Sequence, residues 1–193
     1  RNNPGAKVIV TGCHAQTDPD EIKKIEQIDA IISHKDKTRI ADHINGICDE
    51  DKAPGFHPVL HDDTNRFHSF ADTVKGKMTR AYLKIQDGCN SFCTYCIVPY
   101  ARGGSVSMPE KEVFKHLNQL NQKGFKEVII TGIHTGLYGQ DFKIKTDLET
   151  LLHKINDLRP VHRIRLSSIE PGEISNGIIE LAKAGNILCN HFH

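Results

Sequence analysis

Residues 84–103 read Lys-Ile-Gln-Asp-Gly-Cys-Asn-Ser-Phe-Cys-Thr-Tyr-Cys-Ile-Val-Pro-Tyr-Ala-Arg-Gly and carry three cysteines, Cys89, Cys93 and Cys96, in a Cys-x3-Cys-x2-Cys spacing. Thiols this close, with Gly88 just ahead of the first, can wrap one compact metal site. Soft thiolates suit zinc or an iron–sulfur cluster. Structural zinc usually takes four protein ligands, commonly as two separated pairs, and an electron-transfer cluster normally takes four cysteines. No fourth ligand is evident nearby, although His116 or a more distant histidine is an available donor. The spacing therefore predicts a site with one coordination position left for another ligand, carried on a strand-to-helix connection.

That connection belongs to a repeating pattern. Residues 81–85 read as a strand, and Pro109 opens a helix with Val113, Leu117 and Leu120 on one face, closed by Gly124. A second strand covers 127–131 and ends in the glycine-rich run 132–139. A helix over 147–158, a strand over 163–167, the run Ser168-Ile-Glu-Pro-Gly, a helix over 174–184 and a strand from 187 follow. Three β-α units and a fourth strand are the beginning of a β/α barrel, in which chemistry sits on the loops after the strands.

The first part of the chain has its own β-α-β-α order: a strand over 7–10, a helix capped at Asp18-Pro19 with Ile22, Ile25 and Ile28 on one face, a strand over 30–32 and a helix over 38–47. This predicts a parallel sheet. Between the two parts, Pro54, Gly55, Pro58 and scattered histidines give no helical period. The expected organisation is a partial amino-terminal domain over 1–50, a linker with an extended or hairpin segment over 51–76, and a partial barrel over 77–193. The chain starts without methionine and stops after the fourth barrel strand, so a fragment is expected.

Composition narrows the class. The 193 residues are 38% hydrophobic and 25% charged, an ordinary globular balance. A formal charge of +1 gives no bulk field to attract nucleic acid, so such a partner needs a local patch; Lys35, Lys37, Arg39, Arg163 and Arg165 are candidates for phosphate contact. No apolar run reaches membrane-spanning length and the first residues are not a signal peptide, which predicts a cytoplasmic protein with no membrane association. Of the six cysteines, the clustered trio reads as ligands rather than disulfide partners; Cys48 and Cys189 are expected to be buried. His57, His61 and His68 read as solvated loop residues.

The cysteine loop, with aromatic Tyr95 before the last cysteine, resembles the radical S-adenosylmethionine superfamily. The full run 84–103, together with Val10-Thr-Gly-Cys-His-Ala-Gln16, Thr131-Gly-Ile-His-Thr-Gly-Leu-Tyr-Gly-Gln-Asp141 and Arg163-Ile-Arg-Leu-Ser-Ser-Ile-Glu-Pro171, is similar to the methylthiotransferases. It is most similar to the branch acting on N6-threonylcarbamoyladenosine in tRNA. The resemblance implies a Rossmann- or flavodoxin-like amino-terminal domain followed by the first half of a partial (β/α) barrel. It implies that Cys89, Cys93 and Cys96 hold a [4Fe-4S] cluster whose open iron chelates S-adenosylmethionine, and that an electron passed through it yields a 5′-deoxyadenosyl radical.

By the same resemblance Tyr95, Gly132, Ser168 and Glu170 lie near the bound cofactor. Turn chemistry competes for Gly132, Gly136 and Gly139, and helix capping for Ser167, Ser168 and Glu170. Cys13 matches one of three ligands to an auxiliary [4Fe-4S] cluster, the other two falling upstream of Arg1. The implied activity is methylthiolation at C2 of the modified adenosine beside the anticodon, with tRNA as substrate and an electron donor such as a flavodoxin or ferredoxin as partner. Alternatives are the same reaction on isopentenyladenosine or on an aspartate of a ribosomal protein, or a non-catalytic iron–sulfur or zinc module. Two stretches depart from the family pattern: Ser105-Val-Ser-Met108 replaces a run often more basic in relatives, and residues 32–37 lack a glycine.

Overall fold

The computed structural model describes residues 3, 5–34, 36–37, 40–48, 55–57, 67 and 79–193. It divides into two compact units, Arg1–Asn65 with Ser91–Gly103 and Arg66–Asn90 with Gly104–His193.

In the smaller unit β1 (Ile9–Thr11), β2 (Ala30–Ile32) and β3 (Gly55–His57) form a parallel sheet in that order, with Val10 opposite Ile31 and Ile31 opposite Phe56. The expected parallel sheet is thus present, and the stretch read as linker supplies its third strand, parallel to β2 rather than as a hairpin. The expected boundary near Gly76 lies outside the described residues, as do Lys35, Arg39, His61 and His68. Gly12, at φ 117°, lets the chain turn from β1 straight into a short helix, α1 (Cys13–Thr17). Asp18 then caps α2 (Pro19–Lys23) by accepting the Glu21 N–H at 3.1 Å. Ile22 is buried with Ala15 and Ile31, and Ile28 packs against them. Ile25 does not join: α2 ends at Lys23, so this residue falls past the helix and is half exposed. The helices α3 (Ile40–Cys48) and α4 (Val98–Arg102) complete the unit, and α1 lies against α4.

The larger unit begins with β4 (Arg80–Lys84). A short antiparallel pair, β5 (Gln86–Asp87) and β6 (Val106–Ser107), follows. Then come α5 (Glu110–Gln122), β7 (Glu127–Thr131), α6 (Leu148–Leu158), β8 (Arg163–Leu166), α7 (Asn176–Ala184) and β9 (Leu188–Phe192). The four longer strands form one sheet in the order β4-β7-β8-β9, every neighbouring pair parallel. Strand, helix and strand in strict alternation with sequential pairing is the predicted half-barrel. Ala81, Leu83, Val128, Ile130, Ile164 and Leu166 bury one face of it. The predicted stripe Val113, Leu117 and Leu120 of α5 joins them, with Leu151, Leu152 and Ile155 from α6. Each of these Val, Leu and Ile side chains contributes roughly 1.5–3 kcal/mol when fully buried. Asp147 and Ser175 cap α6 and α7 by accepting the N–H groups of Thr150 and Ile178.

At the amino-terminal ends of these strands Glu127 stands in register between Arg80 and Arg163. Its carboxylate lies 3.0 Å from Arg80 Nε, 2.9 Å from Arg163 Nη2 and 3.1 Å from Arg165 Nε. Burial pushes this carboxyl up, but the hydrogen bond from Arg165 and the three guanidinium charges together hold it below the ordinary glutamate value. Arg163 and Arg165, candidates for phosphate contact on sequence grounds, are therefore engaged with Glu127 at the end of the sheet away from the strand-to-helix loops. Cys189 on β9, expected to be buried, is half-buried; what burial it has raises its thiol pKa.

Candidate cofactor site

The cysteine loop leaves the half-barrel at Gln86 and returns at Ser107, residues paired directly across the β5–β6 ladder. Met108 adds a further rung, its N–H donating to Ile85 O at 2.7 Å. Ser105, Val106, Ser107 and Met108 are all buried. In such surroundings unpaired cationic side chains would carry a large desolvation cost.

Gln86 is fully buried and spends both ends of its amide. Nε2 donates to Asp87 O, Gly88 O and Ser105 Oγ at 2.9, 2.8 and 2.9 Å. Oε1 accepts the backbone N–H groups of Ile133 and His134 at 3.1 and 2.8 Å. A Cβ at Gly132 would sit 2.9 Å from both Gln86 O and Gln86 Oε1. Gly132 is thus required by the approach of Gln86, a packing reason that neither turn chemistry nor cofactor contact had anticipated.

The loops after β7 and β8 are bolted together by Thr135. Its N–H donates to Ser168 O at 2.8 Å and its buried hydroxyl to Ser167 O and Ser168 O at 2.9 and 3.0 Å. These bonds hold Ser168 at φ 61°, in the left-handed region that non-glycine residues seldom adopt. Glu170 opens the 3₁₀ turn Pro171–Glu173, donating its backbone N–H to Glu173 Oε2 at 3.1 Å. Capping, the competing role for Glu170, is realised in the fold. Ser107 Oγ in turn accepts the N–H of Gly139 at 2.9 Å, which ties the far end of the glycine-rich run to the clasp.

His134 lies where these loops meet. Its Nδ1 is 3.5 Å from Cys89 Sγ and its Nε2 is 2.7 Å from Glu173 Oε1. Burial works against protonation of this imidazole, but hydrogen bonds to Cys89 and Glu173 raise its pKa above the usual histidine value. A Cβ at Gly136 would overlap the Glu173 carboxylate, so the second glycine of the run makes room for that partner.

Of the predicted ligands, Cys89 is buried at 8% exposure and belongs to the larger unit; Cys93 is exposed, Cys96 is half-buried, and both belong to the smaller. The Cys96 N–H donates to Cys93 O at 2.9 Å, setting those two on one turn. Tyr95 between them is 91% exposed. Cys13 is half-buried at the start of α1, against α4, the helix that carries the chain away from Cys96. His116, the alternative fourth donor, is buried on the same helix as Val113, Leu117 and Leu120. Among the described residues no three His, Cys, Asp or Glu side chains gather around a single ion. Thiolates that bind separate irons of one cluster need not converge on one atom, so this does not bear on the expectation that the three cysteines are cluster ligands. Gln86, Thr135, His134 and Glu173 were not singled out from the sequence. The signal for Gln86 was a polar residue continuing the apolar strand run 81–85.

Residues 83–193 match the Radical SAM superfamily. Over its whole length the chain is 39% identical to the "Threonylcarbamoyladenosine tRNA methylthiotransferase MtaB" of Bacillus subtilis (strain 168), covering 43% of that protein. It is 36% identical over 99% of its length to the protein of the same name from Thermotoga maritima, covering 42% of it. It is 32% identical over 99% of its length to the "tRNA-2-methylthio-N(6)-dimethylallyladenosine synthase" of Pelotomaculum thermopropionicum, covering 43%. The chain thus spans less than half the length of these curated relatives. The solved structure of a radical S-adenosylmethionine methyltransferase, TsrM from Kitasatospora setae, with cobalamin and [4Fe-4S] cluster bound, aligns at a TM-score of 0.45 with 19% identity over 57% of this chain and 22% of that one.

Proposed function

This chain belongs to the Radical SAM superfamily, and from that premise we propose that it is part of a tRNA methylthiotransferase acting at C2 of N6-threonylcarbamoyladenosine beside the anticodon. Membership brings a [4Fe-4S] cluster and S-adenosylmethionine as cofactors. Bound together, they supply the electron and the cleavable sulfonium from which radical chemistry starts. Cys89, Cys93 and Cys96 are the residues that hold the cluster, and Tyr95, Gly132, Ser168 and Glu170 those that line the S-adenosylmethionine. The loops after β7 and β8, locked by Thr135 and Gln86, give these contacts a fixed frame, as pre-organised sites require.

One observation carries the reading beyond radical chemistry in general: α1, with Cys13 at its start, lies against α4, which leaves the cysteine loop. A second cysteine-bearing turn against the helix leaving the first supports an auxiliary cluster, with Cys13 among its ligands, as a sulfur-inserting enzyme needs. The relatives named for threonylcarbamoyladenosine favour that base. The partners that follow are tRNA and an electron donor such as a flavodoxin or ferredoxin, and the proposed location is the cytoplasm; no helix among the described residues is long and apolar enough to cross a membrane.

Nucleoside analysis of tRNA from a strain lacking the gene tests the reading. The expected result is loss of the 2-methylthio group from N6-threonylcarbamoyladenosine and its return on complementation. Loss from the dimethylallyl or isopentenyl nucleoside instead would move the assignment to that substrate. Unchanged tRNA would refute the proposal.

A further inference from the structure

We propose that His134 is a positioning residue for the cluster, donating a hydrogen bond from Nδ1 to the sulfur of Cys89 and thereby setting the cluster's reduction potential. The inference rests on the reading of Cys89 as a cluster ligand and goes beyond it.

The geometry is specific. Nδ1 stands 3.5 Å from Cys89 Sγ, within reach for a hydrogen bond to sulfur. At its other nitrogen the ring faces the Glu173 carboxylate, 2.7 Å from Nε2, an ion pair when both ring nitrogens carry protons. Its backbone is held by Gln86, whose Oε1 accepts the His134 N–H at 2.8 Å. Gly136 exists to admit the Glu173 carboxylate, since a Cβ there would overlap it. The ring is only 13% exposed and Glu173 25%, so water competes little for either nitrogen. Four residues from three segments thus aim one imidazole nitrogen at one thiol.

A hydrogen bond given to a cluster-ligating sulfur draws negative charge off the metal centre and stabilises the reduced state more than the oxidised one. His134 therefore raises the potential, easing the entry of the electron on which the cofactor's chemistry depends. Cys93 sits exposed on the loop and Cys96 half-buried, so the tuning acts through the one ligand that is buried.

The test is the midpoint potential of the anaerobically reconstituted chain, followed by electron paramagnetic resonance during reductive titration. His134→Leu and His134→Phe, two shapes without a ring N–H, are expected to shift the midpoint to lower potential. His134→Asn, whose side-chain amide can stand near the place of Nδ1, is expected to restore it towards the unsubstituted value. Glu173→Gln is expected to give a smaller downward shift. Circular dichroism shows which variants fold, and either apolar variant suffices. Equal potentials in a folded apolar variant and the unsubstituted chain would overturn the inference while leaving the ligand assignment intact. A Cys89→Ala variant that assembles the same cluster with the same signal would instead sink the ligand assignment, and the inference with it.

Discussion

Gln86 and His134 are joined across 48 residues of sequence by a 2.8 Å hydrogen bond, the backbone N–H of the second donating to Oε1 of the first. The same amide group holds the root of the cysteine loop through Gly88 O and Ser105 Oγ. One buried side chain therefore fixes the loop after β4 against the loop after β7, and its removal should be felt in both.

Gln86→Leu keeps the bulk but leaves two N–H donors and several acceptors without partners. With each buried orphan costing roughly 1–3 kcal/mol, the two N–H groups alone set an expected loss of at least about 2 kcal/mol. Urea unfolding checks this, with a lower midpoint and an unchanged slope. A loss below about 1 kcal/mol would show that water replaces the amide.

Gly132→Ala forces a methyl group to within 2.9 Å of Gln86 O and Oε1. Overpacking of this kind costs roughly 1–3 kcal/mol. Thermal or urea denaturation in the absence of any cofactor reads it directly, because the clash is internal to the fold; an unchanged midpoint would return Gly132 to cofactor contact alone.

Glu127→Gln removes the charge at the centre of three guanidinium groups. The expected cost is about 3 kcal/mol, the lower end for breaking a buried pair, because Arg80 and Arg163 keep contact with water. The sign of the pH dependence follows from the depressed carboxyl. Its stabilisation is fully present above the unfolded glutamate value, about 4.3, and is lost as pH falls through the lower folded value. The stability gap between the unsubstituted chain and the variant should therefore narrow on acidification; paired urea titrations at neutral pH and below 4 decide it.

Ser168→Gly relieves the left-handed backbone strain at φ 61°, which is worth roughly 1 kcal/mol at a non-glycine residue. The variant is expected to fold at least as stably while binding S-adenosylmethionine more weakly, since the side chain is a proposed contact. Calorimetric titration beside a melting curve separates the two; unchanged affinity would assign Ser168 a backbone role only.

Each of Cys89→Ala, Cys93→Ala and Cys96→Ala should abolish the iron content and visible absorbance acquired on anaerobic reconstitution. Cys189→Ala, on β9 beside the Glu127 group, should leave both intact. Iron and sulfide assay makes the comparison.

Much of the half-barrel could be read from the chain because its signals are local. Val113, Leu117 and Leu120 repeat at helical spacing, and β7 is built on the apolar run Val128-Ile129-Ile130. Local signals also misled where an element ended early, as with Ile25 beyond Lys23. The clasp between β5 and β6 was invisible because two-residue strands have no period to detect. Within the site, spacing revealed the three cysteines, whereas His134 meets Cys89 only because β4 and β7 are neighbours in the sheet, 45 residues apart in sequence. Contacts made by tertiary pairing leave no trace in spacing.

The clasp also separates the cysteine segment from the register of the sheet. A chain that departs at Gln86 and re-enters opposite it at Ser107 lets the cysteine segment leave the sheet, Ser91–Gly103 going with the smaller unit, while the strands that follow keep their register. Closing a longer segment costs little, about 0.6 kcal/mol for each doubling. The register of the half-barrel is therefore set by the pairing of Gln86 with Ser107, and by the partners that the Gln86 amide finds on both sides, not by the span between them.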